Sequence, residues 1–144
     1  MGTTLVAALE TPSGIAVSNV GDSRCWLWEK DRLTLLTSDQ SWVNEVSPSL
    51  GLSAAAINAH PLRHALTTAI GVGLPRQLQS RVVQAQPHSM ILLSSDGLHG
   101  AVTPDAIASI LSADGPLLFL CQELINAALE RGGPDNVTVV LARF

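Results

Sequence analysis

The chain reads as an α+β domain, and three observations predict this. Short apolar runs closed by turn residues fill its first third. Two helical stretches fill most of its last third, and a β-branched run follows them. Taken in order, residues 4–9 form a first strand that turns at Thr11-Pro12-Ser13-Gly14 into a second strand at 15–20. A tight Gly21-Asp22-Ser23 leads to a third strand at 25–28, and the polar turn Glu29-Lys30-Asp31-Arg32 leads to a fourth at 33–36. This spacing predicts an antiparallel meander, with Asp22 in a hairpin turn. In the middle, Ser38 caps a short helix reaching Glu45 or Val46, and 53–58 form a second. Residues 65–70 are extended, Gly71-Val72-Gly73-Leu74-Pro75 form a loop, and 79–85 and 90–93 are strands. Thr103-Pro104 starts a helix with Ile107, Ile110 and Leu111 on one face. A second helix, 116–131, repeats Leu117, Cys121, Leu124 and Ala128 at helical spacing until Gly132-Gly133-Pro134 stops it. Residues 137–141 close the chain as a strand.

Composition narrows the function classes. At 144 residues the chain is a single domain, 1–144. With 47% hydrophobic and 14% charged residues it has material for a core and is no solvated, disordered chain. Eight basic residues against twelve acidic ones form no basic stripe, so a nucleic-acid partner is not expected. The apolar run at 117–121 ends at Gln122 and Glu123, far short of the roughly 20 residues of a membrane span. No basic residue precedes Arg24, so a secretory start is not expected, and a cytoplasmic location is. Cys25 and Cys121 stand apart in apolar settings and are expected as buried, reduced thiols.

Three acidic residues stand out. Asp22 lies between two apolar strands, Asp96 ends the run Met90-Ile91-Leu92-Leu93-Ser94-Ser95, and Asp135 precedes the last strand. Each alone is also an ordinary turn residue. If the strand before Asp96 and the strand after Asp135 are antiparallel neighbours, both carboxylates meet at one sheet edge, and the stretch between them supplies two helices for one face. Carboxylates so placed repel each other unless a cation lies between them, and oxygen donors prefer Mg²⁺ or Mn²⁺ to zinc. His60, His64, His88 and His99 show no ligand spacing and are expected to be structural or exposed. No Gly-x-Ser-x-Gly elbow points to a serine hydrolase.

Several motifs in order resemble the metal-dependent protein phosphatases of type 2C, in their bacterial form. They are Gly2-Thr3-Thr4-Leu5-Val6-Ala7-Ala8-Leu9, Val20-Gly21-Asp22-Ser23-Arg24, Leu36-Thr37-Ser38-Asp39-Gln40-Ser41-Trp42, and His60-Pro61-Leu62-Arg63 leading to Leu66-Thr67-Thr68-Ala69-Ile70-Gly71. Leu92-Leu93-Ser94-Ser95-Asp96-Gly97-Leu98 and Gly132-Gly133-Pro134-Asp135-Asn136-Val137-Thr138 resemble that family's two metal-ligand motifs.

The resemblance implies an antiparallel β-sandwich with helices on its outer faces. It implies hydrolysis of phosphoserine and phosphothreonine in protein substrates by a hydroxide held on Mg²⁺ or Mn²⁺, opposite a Ser/Thr kinase. By motif, Asp96 and Asp135 are metal ligands, Asp22 helps hold a third, weaker metal, Gly97 allows close backbone approach, and Asn136 supports the site from behind. The family's domain also has a part before the Gly-Thr-Thr strand, with a metal-bridging Asp-Gly pair, a further acidic ligand and a phosphate-binding arginine. The chain therefore matches the C-terminal two-thirds of that domain, with an incomplete binuclear site and little or no activity alone. Gly100 stands where the family often has Asp, Thr68 where it has Arg, and Gln40 where it has His. A catalytically dead, phosphatase-like binding or regulatory domain is the alternative. Missing strands would leave sheet edges and apolar faces bare, so self-association or a covering partner chain is expected.

Overall fold

Strand alternation decides which layer each side chain joins. The structure, a computed structural model, describes residues 1–72 and 78–144. Its strands are β1 (Leu5–Thr11), β2 (Gly14–Val20), β3 (Arg24–Glu29), β4 (Arg32–Leu35), β5 (Gln79–Val83), β6 (Met90–Ser94) and β7 (Val139–Arg143). All pairings are antiparallel, in two sheets ordered β1-β2-β5 and β4-β3-β6-β7. Cys25 and Leu27 of β3, with Ile91 and Leu93 of β6, meet Ile15 and Val17 of β2 between the sheets. Their neighbours Trp26, Trp28, Met90 and Leu92 point the other way, into a larger core under two helices.

Those helices are α4 (Pro104–Leu111) and α5 (Leu117–Glu130). Thr103 Oγ1 accepts the Ala106 N–H and Pro104 occupies the first turn, as a helix start requires. Ile107 and Leu111 of α4, with Leu120, Leu124 and Ala128 of α5, seal against the four-stranded sheet. The short helices α1 (Trp42–Glu45) and α2 (Ala54–Asn58), with a 3₁₀ turn at Ser47–Leu50 between them, belong to the long excursion from β4 to β5. A last one, α3 (Asp96–His99), follows β6 directly.

Several expectations need correction. The meander is broken: β1–β2 and β3–β4 are hairpins of different sheets, so Gly21-Asp22-Ser23 is a corner crossing between layers. Alternation reveals a strand but not its partner sheet. Helix α1 starts after Ser41, not Ser38, because Ser38, Asp39 and Gln40 spend their polar groups on the β2–β3 corner. The buried stripe of α5 is Leu120, Leu124, Ala127 and Ala128; Leu117 and Cys121 lie at its margin, half-buried. Ile110, half-buried, packs against the same core as Ile107 and Leu111. Residues 65–70 form isolated bridges, Ser41 with Leu66 and Thr3 with Ile70, rather than a strand. The expected loop from Gly71 lies outside the described residues from Gly73 to Pro75. The helices α4 and α5 pack on the outer face of the four-stranded sheet, as expected.

Candidate metal centre

The β2–β3 corner carries Asp22, and its neighbours lock it in place. Gly21 has φ +95°, and a Cβ there would lie 2.5 Å from the Thr4 Cγ2 methyl, so only glycine suits the bend. The Gly21 N–H donates to Gln40 Oε1 at 2.8 Å, and its carbonyl accepts the Gln40 N–H at 2.9 Å. The buried Asn19 amide donates to the carbonyls of Gly21 and Ser38 at 3.3 and 3.1 Å. Thus Gln40, at the position where the resemblance expects histidine, is a clamp on the Asp22 turn.

The other two carboxylates sit where adjacent strands end and begin. Strands β6 and β7 pair antiparallel with Ser94 opposite Val139, so Asp96 follows one strand and Asp135 precedes its neighbour at the same sheet edge. The Ser95 N–H donates to the Thr138 carbonyl at 3.0 Å, and Ser95 Oγ accepts the Thr138 N–H at 3.0 Å. Gly97 is buried against this crossing: a Cβ there would stand 2.2 Å from the Asn136 carbonyl oxygen. The site needs a glycine at this point because two backbones touch. Asn136 contributes main chain, its N–H donating to Asp135 Oδ1 at 2.7 Å.

Asp22, Asp96, Gly97 and Asp135 line one cavity of about 540 Å³, together with Arg24, Asp39 and His99. No three of the described acidic, histidine or cysteine side chains close tightly enough to grip an ion by themselves. Burial pushes the Asp22 carboxyl above its ordinary range, and the Asp96 charge pushes it the same way. A carboxyl held above its ordinary range beside a second carboxylate is a donor whose charge a divalent cation relieves. The residues present thus fit a hard cation that keeps several waters, rather than an all-protein cage.

Two features carried no role in the sequence reading. Arg24 grips Asp39 through two bonds, Nε to Oδ1 at 2.9 Å and Nη2 to Oδ2 at 2.7 Å, and its guanidinium lies 5.5 Å from the Trp26 ring centre. Both residues were inside quoted motifs, and Arg24 shares a strand face with Trp26. His99, expected as structural or exposed, lines the cavity, and burial pulls its imidazole down to about 4. Its position one helical turn after Asp96 was the available signal. By contrast His60 stacks on Trp42 with ring centres 4.0 Å apart, as a structural histidine should. Of the cysteines, Cys25 is buried and pushed up to about 12, while Cys121 is half-buried.

No family model matches the chain. Relatives do. The serine/threonine phosphatase stp of Listeria innocua is 37% identical over 141 residues, covering 98% of this chain and 56% of the relative. The protein phosphatase PhpP of Streptococcus pneumoniae is 33% identical over 141 residues, covering 98% and 57%. The serine/threonine phosphatase of S. agalactiae superposes with a TM-score of 0.90 at 34% identity, covering 98% of this chain and 58% of that one. Over nearly its whole length the chain is similar to the C-terminal part of bacterial type 2C phosphatases. It spans a little over half the length of the curated relatives it matches. A catalytic domain of PstP in complex with two manganese ions, TM-score 0.80 at 32% identity, covers 99% of this chain.

Proposed function

We propose that the chain forms the Asp22–Asp96–Asp135 wall of a serine/threonine protein phosphatase site. The observation that carries this reading is the single cavity onto which those three carboxylates open. A divalent cation bound there supplies charge neutralisation for a phosphoryl group and acidifies water. Asp96 and Asp135 would hold it from adjacent strand ends, and Asp22 would contribute from the corner, to it or to a third, weaker ion. Gly97 brings the Asp135 backbone close, and Arg24, tied to Asp39, keeps the cavity rim rigid. The substrates are phosphorylated proteins made by a Ser/Thr kinase, in the cytoplasm. No described helix is long and apolar enough to cross a membrane.

The bare outer face of the three-stranded sheet, with Leu5, Leu9 and Val82 at 51, 67 and 55% exposure, supports self-association or a covering partner chain. The second reading, a phosphatase-like binding domain, is favoured by Gly100, which offers no carboxylate where the family often has one. The test is Mn²⁺-dependent hydrolysis of a phosphothreonine peptide, by this chain alone and by this chain joined to the part of the S. agalactiae phosphatase it does not cover. Turnover in the joined protein, abolished by Asp96→Ala and low in the chain alone, supports the enzyme. An inactive joined protein that still binds the phosphopeptide supports the binding domain.

A further inference from the structure

The polarity of three hydrogen bonds behind the cavity leads to a role for His99. Trp26 Nε1 is 3.2 Å from Ser94 Oγ, and an indole N–H only donates, so the serine oxygen accepts it. The Ser94 hydroxyl proton then needs an acceptor of its own. Ser94 is 2% exposed, and the remaining side-chain partner among the described residues is His99 Nδ1, at 3.2 Å. Ser94 therefore donates to Nδ1, and the ring's proton sits on Nε2. The Asp22 backbone carbonyl faces the ring, an acceptor for that proton. Trp26 packs beside the imidazole with ring centres 6.4 Å apart and helps fix its plane.

We infer that His99 is a positioning residue that ties the Asp22 corner to the strand and helix flanking Asp96, through Ser94 on one side and the Asp22 carbonyl on the other. Arg24 of β3 pairs with Ser94 of β6, so the Asp22 corner enters β3 beside the point where β6 runs out into Asp96. Strand pairing ends at Arg24 and Ser94, and beyond that point the imidazole strut fixes the two carboxylates relative to one another. This rests on the reading that a cation is shared at Asp22 and Asp96.

Two measurements on the full chain test it. Nitrogen NMR of the imidazole without metal reads the tautomer, and Mn²⁺ titration reads the consequence in His99→Gln and His99→Leu. Gln keeps a donor amide near the Nε2 position, and Leu keeps only bulk. The expected result is a protonated Nε2 with bare Nδ1, Mn²⁺ affinity weakened about 10- to 100-fold in His99→Leu, and affinity within about 3-fold of the unaltered chain in His99→Gln. A proton on Nδ1 overturns the strut whatever Mn²⁺ does. Equal losses in both variants, or no loss in either, overturn the positioning role. If the unaltered chain with the expected tautomer takes up no Mn²⁺, the shared-cation reading fails, and with it the role of His99 toward a metal.

Discussion

The two sheets of this molecule are finished to different degrees. The four-stranded sheet has apolar contacts on both faces: the inter-sheet core on one, and on the other a core of Trp26, Trp28, Leu92, Ile107, Leu120 and Leu124 under α4 and α5. The three-stranded sheet meets that inter-sheet core with one face and leaves Leu5, Leu9 and Val82 exposed on the other. Strands β1 and β7 end their sheets with unpaired edges among the described residues. The difference locates the rigid part of the site. Asp96 and Asp135 stand on the finished sheet, and Asp22 hangs from the corner that reaches across to the unfinished one.

The largest effect expected from that contrast is in the helix-covered core. Leu92→Ala, at a fully buried position, should cost about 3–4 kcal/mol in urea unfolding. A cost below about 1 kcal/mol would mean the helices do not seal this sheet. Gly97→Ala comes next. Its new methyl meets the Asn136 carbonyl, and a loss of about 1–3 kcal/mol with weakened Mn²⁺ uptake is expected by calorimetry.

Acid sharpens the comparison at the corner. The native His99 titrates near 4, against an ordinary value of 6.5, so between those values the unfolded chain binds a proton that the folded chain refuses. Stability should therefore fall as pH falls from 7 to 5 in the metal-free chain, by about 2 kcal/mol from this group. Asp22 acts in the opposite sense: its raised value lets the folded chain gain a proton first as pH drops toward the carboxylate range. His99→Gln isolates the imidazole's share, and its urea midpoint should lose that part of the slope. The smallest effect is expected on the bare face. Leu9→Ser should change unfolding by no more than about 0.5 kcal/mol while raising the monomer fraction in sedimentation. A large loss of stability there would show that the chain already covers this face.

What was legible in the sequence follows the same division. β3 and β6 are continuous apolar runs legible as strands though not by face, and the Asp96–Asp135 meeting was an expectation from the strand adjacency that β6 and β7 now show. The assignment of β2 and β3 to different sheets was not readable, because alternation is the same whichever partner a strand finds. The face of α5 came out shifted because Leu117 and Cys121 look as apolar as the Leu120 and Ala127 that are buried, and only packing on β7 decides between them. The Arg24–Asp39 pair and the packing of His99 beside Trp26 escaped since both join distant segments.

The central claim is that Asp22, Asp96 and Asp135 together hold a divalent cation. Manganese titration of the full chain, followed by electron paramagnetic resonance, tests it most directly in the unaltered protein and in Asp96→Ala. Saturable uptake lost in Asp96→Ala, with the far-ultraviolet spectrum unchanged, is the predicted result. Uptake that survives in Asp96→Ala as in the unaltered chain would contradict it.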